Sequence, residues 1–532
     1  MGGAAPAHQS LYYGDCLDWM SRWDDATVDL IYLDPPFNSN SDYNVLYGNG
    51  APGGGADAQF RAFADTWSWD EAAAGRFDDY ASAVARPAHN VIVGFHRMLG
   101  GSGMLAYLTY MAERLEHCHR LLKPTGSLYL HCDPTASHYL KAVMDGVFGS
   151  ENFRNEIIWQ RSTGKSLMSQ QLPTNHDILL SYQRSDQAVW NADEVFVPYD
   201  PTNLDAKTAS KYRHRDPDGR IYRLDSLINP NRDRPNLQYE FLGVTRVWRW
   251  TRERMQKAYE AGLIVQSKPG RVPQLKRFLD EQRGRPLGDV WTDIAPINSR
   301  ATERLGYQTQ KPLNLLARII RMSSREGDLV LDPFCGCGTT VDAAQRLGRR
   351  WAGIDISSFA IDLICERRMI DVAIDTAGIP SDMRSASKLA ADDPFGFEAW
   401  AVNRLPGFVP NTKQVADGGI DGRALLAVKP DDHPSRLALA QVKGGKSPSV
   451  SLLRDFCGVT RQQAAAVGCY VTLRPSPHGA IAASEGKVSV AGIDYQRMNL
   501  WSIADYFEDR WPKLPMMANP YTGKPMMQGS LF

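Results

Sequence analysis

Two short turns, far apart in the chain, constrain its fold more than any other feature: Asp34-Pro35-Pro36-Phe37, and Asp332-Pro333-Phe334-Cys335-Gly336-Cys337-Gly338-Thr339-Thr340. Each follows a run that reads as a buried strand, residues 28–33 in one case and 328–331 in the other. Polar turns at the carboxyl ends of strands are where open α/β sheets build their ligand sites. The chain is therefore expected to hold a doubly wound, Rossmann-like α/β sheet with both turns in one site.

The second turn carries the clearer pattern. A helix is expected over 341–347, closed by Gly348, and a further strand over 351–354 ends in Asp355. Strand, glycine turn, helix, strand and acid make a βαβ unit in which the acid can accept hydrogen bonds from a ribose diol. The turn is not Gly-x-Gly-x-x-Gly, and no Gly-x-x-x-x-Gly-Lys-Ser/Thr run occurs. Dinucleotides and nucleoside triphosphates are thereby disfavoured.

The first turn suits an amine. Consecutive prolines fix φ and remove two N–H donors, so the turn presents acceptors: the Asp34 carboxylate and the Pro35 carbonyl. An exocyclic aromatic amine is a poor nucleophile because its lone pair is delocalised into the ring. Two acceptors on its hydrogens would aim that lone pair at an electrophile, and catalysis would come from positioning and charge stabilisation. No Pro-Cys dipeptide exists for covalent attack on a pyrimidine carbon.

With these residues placed, the chain resembles a β-class S-adenosylmethionine-dependent DNA amino-methyltransferase of the adenine-specific type, in which the catalytic motif precedes the cofactor motif. The resemblance spans residues 9–375 and includes Gly14-Asp15-Cys16, the segment 120–133 and Tyr307-Gln308-Thr309-Gln310-Lys311-Pro312. It implies catalytic roles for Asp34, Pro35, Pro36 and Phe37, the last stacking on a base flipped out of duplex DNA. It implies S-adenosylmethionine contacts for Asp15, Thr309, Lys311, Asp332, Phe334, Gly336, Gly338, Thr339 and Asp355. Amino-methylation of cytosine at N4 is the nearest alternative, and a non-catalytic DNA-binding protein a more distant one.

At 532 residues the chain exceeds one core, and roughly two to four domains are expected. The catalytic half is assigned to 1–200, an inserted target-recognition region to 201–290 and the cofactor half to 291–380. The insert holds 19 Lys/Arg against 11 Asp/Glu in a chain of zero net charge. Its Tyr212, Tyr222, Tyr239, Phe241, Trp248 and Trp250 interleave with those cations, a mixture suited to phosphates and stacked bases. A glycine-rich loop, 49–58, is expected to order around the substrate.

A polar linker is expected over 381–394, then a second α/β domain over 395–510 and a tail over 511–532. In the second domain Glu398, Asp421, Gln441 and Lys443 resemble the PD-(D/E)xK restriction-endonuclease fold in its Mrr-like branch. That resemblance implies Mg²⁺ held by Asp421 and Gln441 and, if the domain cleaves DNA instead of only gripping it, a chain that both methylates and restricts DNA. The last residues, Gln528-Gly529-Ser530-Leu531-Phe532, resemble a peptide that docks on the replication sliding clamp. The eight scattered cysteines read as reduced and structural, and Cys335 and Cys337 are too close together for a zinc pair. No apolar run is long enough to span a membrane, so a cytoplasmic monomer or homodimer is expected.

Overall fold

The computed structural model describes residues 5–36, 42–46, 59–64, 67–162, 172–298, 301–305, 307, 309–411, 419–445, 449–520, 523 and 525–526. Phe37, the glycine-rich loop 49–58 and the tail peptide 528–532 lie outside these residues.

One nine-stranded sheet organises the first unit, which comprises residues 1–190 and 289–532. Its strands are β1 (Ser10–Tyr13), β2 (Val28–Leu33), β3 (Leu122–Cys132), β4 (Phe153–Gln160), β5 (His176–Gln183), β6 (Val290–Trp291), β7 (Leu329–Asp332), β8 (Arg350–Asp355) and β9 (Asp375–Ala377). They lie in the order β6-β4-β5-β3-β2-β7-β8-β1-β9. From β3 through β9 every neighbouring pair is parallel, and β5 runs antiparallel to β3 and β4.

Every residue of β2 is buried, as a parallel strand covered on both faces requires. Its one acid, Asp29, is paid for in place: Lys123 Nζ lies 2.8 Å from its carboxylate, and the Leu329 N–H donates to it at 2.9 Å. That second bond also stitches β2 to the start of β7. Helix Gly103–Leu121 adds Leu105, Leu108, Met111, Leu115 and Cys118 to the core shared with Ile31 and Leu33.

The expected βαβ unit is present, with shifted ends. Strand β7 includes Asp332 itself, and helix α1 spans Thr339–Arg346. The helix begins two residues earlier than its apolar pattern indicates because Gly338, at φ +77°, turns the chain directly into it. A Cβ there would come within 2.6 Å of Ile364, so the position demands glycine. Helix α2 (Ser358–Leu363) follows β8.

The stretch 381–394, expected as a linker, contains helix Met383–Asp392, started by an Asp382/Ser385 capping box. Helix α3 (Pro394–Asn403) follows at once, with proline in its first turn. Beyond it, β10 (Val409–Pro410), β11 (Gly422–Leu425), β12 (Leu437–Lys443), β13 (Val467–Thr472) and β14 (Met498–Ser502) form a five-stranded sheet in chain order. β10-β11-β12 are antiparallel, whereas β12-β13-β14 are parallel. This region belongs to the first compact unit.

Residues 191–288 form the second unit. A hairpin (Gln238–Phe241 with Val244–Val247) and a four-stranded sheet enclose a core centred on Trp248, Phe241, Met255 and Leu275. The aromatics expected to stack on bases therefore divide. Trp248, Phe241 and Tyr212 are buried in the protein and unavailable for stacking. No helix among the described residues is long and apolar enough to cross a membrane.

Candidate active site

Asp355 ends β8 and anchors the glycine turn. Its carboxylate accepts the Gly336 N–H at 2.8 Å and the Ser357 N–H at 2.8 Å. Gly336 adopts φ +48°, which brings its amide to that carboxylate. Asp332, at the end of the adjacent β7, accepts the Phe334 N–H at 3.0 Å. Burial pushes Asp355 up to about 6, with the Ser357 and Gly336 amides pulling back. Burial pushes Asp332 up to about 7, opposed by the Thr340 hydroxyl and the Phe334 amide.

The first turn meets the second because β2 and β7 are parallel neighbours, with Ile31 beside Leu331. Asp34 leaves β2 beside the Asp332 turn, and Lys311 clamps its carboxylate with Nζ at 2.7 and 2.6 Å from the two oxygens. The sequence placed Lys311 at the cofactor; here it grips the carboxylate of the amine-binding turn.

Asp15 caps the short helix Cys16–Met20 and is held by Arg114 Nη2 at 2.8 and 2.5 Å. A cavity of about 680 Å³ joins these groups. Asp15, Asp34, Pro35, Pro36, Thr309, Lys311, Asp332, Phe334, Gly336, Thr339 and Asp355 all line it. Gly338 is absent from the lining and instead starts α1.

Sequence reasoning gave no site role to Tyr32, Trp67 and Tyr110, which also line the wall, nor to Tyr307, although it singled out the segment that Tyr307 begins. Tyr32 was legible in principle. It lies on β2 only two residues before Asp34, which follows the last residue of the strand.

Residues 28–366 match the family described as DNA methylase, under the name N6_N4_Mtase. The chain belongs to this DNA methylase family. The chain is 29% identical over 266 residues to the Type II methyltransferase M.EcaI of Enterobacter cloacae, covering 49% of this chain and 57% of the relative. It is 24% identical over 362 residues to the StyLTI Mod subunit, a Type III restriction-modification enzyme of Salmonella typhimurium, covering 65% and 51%. The solved M1.HpyAVI–SAM complex is similar over 67% of this chain and 98% of its own, at 14% identity and a TM-score of 0.29. The chain thus spans little more than half the length of the first two relatives.

Two further constellations accompany the methylase cavity. Within residues 191–288 a cavity of about 790 Å³ is lined by Lys207, Lys211, Arg223, Arg277, Arg283 and Arg285, with Tyr199 and Tyr212. Of its acids, Asp205 is occupied capping helix Ala206–Lys211. The lining is strongly cationic.

The other constellation lies beyond the matched span, on β12. The Asp421 carboxylate accepts the Val442 N–H at 2.7 Å and faces Lys443 Nζ at 3.8 Å. Gln441 donates to the Gly419 carbonyl at 2.8 Å, while its buried Oε1 accepts no hydrogen bond among the described residues. Antiparallel pairing of β11 with β12 thus brings Asp421, Gln441 and Lys443 together. Glu398 sits half-buried on α3. Among the described residues no group of three His, Cys, Asp or Glu side chains could hold a metal.

Proposed function

We propose that this methylase transfers a methyl group from S-adenosylmethionine to the exocyclic amine of adenine in duplex DNA. The observation that carries the reading is the single cavity in which the Asp34 turn meets the glycine turn and its terminal acid Asp355. A volume of about 680 Å³ suits a nucleoside-sized cofactor with room for a base. The left-handed glycine turn and the Asp355 carboxylate fit a ribose, and the turn carries no lysine for a phosphate.

When bound, S-adenosylmethionine supplies an electrophilic methyl group on a sulfonium. The chain's own residues do the rest. Asp34 and the Pro35 carbonyl accept hydrogen bonds from the two amine hydrogens and direct the nitrogen lone pair, and the Asp34 carboxylate is placed to receive the one proton released as the methyl group is transferred. Lys311 holds the Asp34 carboxylate in place. The apolar wall of Trp67, Tyr110 and Phe334 excludes water and strengthens those interactions. The cationic cavity of residues 191–288 supports contact with DNA phosphates. Transfer of labelled methyl from S-adenosylmethionine to duplex DNA tests the activity.

Cofactor affinity should depend on pH through Asp355. The ionised carboxylate is the ribose acceptor, and burial raises its protonation to about 6. Affinity is therefore expected to be flat above about pH 7 and to weaken by about tenfold per unit below 6. Calorimetric titration between pH 5 and 8 checks this. A flat profile would remove Asp355 from the binding set.

The C-terminal region supports a second activity, metal-dependent DNA cleavage, favoured by the Gln441 Oε1, which has no partner among the described residues, beside Asp421 and Lys443. A carboxylate and an amide oxygen suit Mg²⁺, a hard ion that wants oxygen ligands. Asp421 and Gln441 would hold it, Glu398 would support it through water, and Lys443 would steady developing charge. The chain would then both modify and restrict DNA. Unmodified DNA with Mg²⁺ should be cut by the wild type and left whole by Asp421→Ala; uncut DNA with both proteins removes the activity.

A further inference from the structure

Two arginines of the cationic cavity in residues 191–288 are set against each other. Arg223 and Arg277 are direct partners across the antiparallel strands Ile221–Ser226 and Gln274–Phe278, so both side chains leave the same face. Like charges placed directly opposite destabilise a sheet. Asp225 answers one of them, lying 3.4 Å from Arg277 Nε. Arg223 forms no ion pair among the described residues, and its buried Nε has no hydrogen-bond partner among them. An unsatisfied guanidinium N–H out of water is destabilising until an acceptor reaches it.

The rest of the lining carries the same imbalance. Lys207 and Lys211 stand one turn apart on helix Ala206–Lys211, and Arg285 begins strand Arg285–Pro286; none of the three forms an ion pair among the described residues. Both acids of the lining are engaged elsewhere. Asp205 accepts the Lys207 and Thr208 amides of its own helix, and Glu281 accepts from Arg220 at 2.8 Å. Tyr199 adds a half-buried aromatic ring to the wall. It packs on Tyr212 with 6.2 Å between ring centroids, and the Arg223 guanidinium lies 5.6 Å from the Tyr212 ring. Aromatic surface and anion-seeking groups therefore adjoin.

A duplex is too wide to enter a cavity of about 790 Å³, whereas one nucleotide fits that volume. We propose that the cavity is a seat for a single nucleotide, its phosphate gripped by the Arg223–Arg277 pair and its base laid against Tyr199. Guanidinium groups hold phosphate oxygens through paired N–H···O bonds, and stacking on an aromatic ring accepts any base. Lys207, Lys211 and Arg285 raise the positive potential that draws the anion in. The nucleotide is free or belongs to a DNA strand, since both present the same phosphate and base. The seat lies wholly within residues 191–288 and does not depend on the methyl-transfer reading.

Calorimetric titration of the full chain tests it, with S-adenosylhomocysteine present to occupy the methylase cavity. The probes are dCMP, deoxycytidine, inorganic phosphate and a short single-stranded oligonucleotide. Binding of dCMP is expected to be about tenfold tighter than that of deoxycytidine or phosphate, because base and phosphate are held together. Arg223→Gln should weaken it about tenfold. Tyr199→Leu should weaken it about fivefold and leave phosphate binding within twofold of wild type. Tight dCMP binding identifies a free nucleotide. Where only the oligonucleotide binds and both substitutions weaken it, the nucleotide belongs to a DNA strand.

Binding lost in Arg223→Gln but unchanged in Tyr199→Leu would reduce the cavity to a backbone contact and overturn the proposal. Binding that neither substitution alters, or no binding of any probe, would overturn it as well. Should thermal unfolding show that Arg223→Gln does not fold, Tyr199→Leu and the exposed Lys211→Gln carry the test, and unchanged affinity in both overturns it.

Discussion

Asp34→Asn is expected to lower methyl transfer by about 10²–10³-fold while leaving cofactor affinity within twofold of wild type. The substitution preserves shape, so the reason is orientation. Lys311 Nζ contacts both carboxylate oxygens at 2.7 and 2.6 Å. With one oxygen left, the amide turns that oxygen toward the ammonium and points its NH₂ toward the substrate amine. Donor then meets donor where an acceptor is required. Asp355 and the glycine turn are untouched, which is why binding of the cofactor should survive. Rapid-quench transfer and calorimetry on the same preparation separate the two quantities; equal rates for Asp34→Asn and wild type would remove Asp34 from the reaction.

Arg404→Met is expected to destabilise the protein by about 3–5 kcal/mol, the cost of breaking a buried ion pair from one side. Arg404, at the end of α3, pairs with Asp362 on α2, and their side chains are only 4% and 14% exposed. Arg404 also donates to the Tyr506 hydroxyl at 3.4 Å, and Asn403 beside it donates to Ser358 at 2.9 Å. The C-terminal region is thus fastened to the helix that follows Asp355.

Asp362 already titrates high because of its burial, which Arg404 opposes. Without the arginine its folded-state pKa rises further above the unfolded value. The protonated form then carries no penalty at low pH, and the cost grows as pH climbs from the unfolded toward the folded pKa. The variant should approach wild-type stability in acid and diverge from it toward neutrality. Adding Asp362→Leu should restore most of the loss, because a matched apolar pair leaves no buried charge. Thermal unfolding of the three proteins from pH 4.5 to 8 reads both effects; a pH-independent loss unaffected by Asp362→Leu contradicts this account.

The parts of the site that were legible in the sequence were those where local chemistry admits few solutions. Gly336 and Gly338 need left-handed backbone, Asp355 must end a strand, and two prolines after an apolar run leave only acceptors. Those constraints are written in neighbouring residues.

Long-range partnerships left no comparable trace. Nothing around Lys311 announces that it reaches Asp34, because the contact is made by strand order and by the chain entering helix Leu313–Ser323. The hydrogen bond between His131 and Asp177 depends on β3 and β5 being neighbours, and a buried histidine between apolar residues looks the same whether or not it has a carboxylate. Aromatic spacing misled for a related reason: Trp248 sits between Arg246 and Arg249 in sequence, yet it packs with Phe241 into the core of the hairpin. The capping box at Asp382 reads equally well as polar linker, since acid and serine serve both.

The most direct measurement is mass spectrometry of nucleosides from unmodified genomic DNA incubated with the protein and isotopically methyl-labelled S-adenosylmethionine. Labelled N6-methyladenine, absent from the Asp34→Asn reaction, is the predicted result. Labelled N4-methylcytosine in its place would contradict the choice of base, and no labelled nucleoside of any kind would contradict methyl transfer itself.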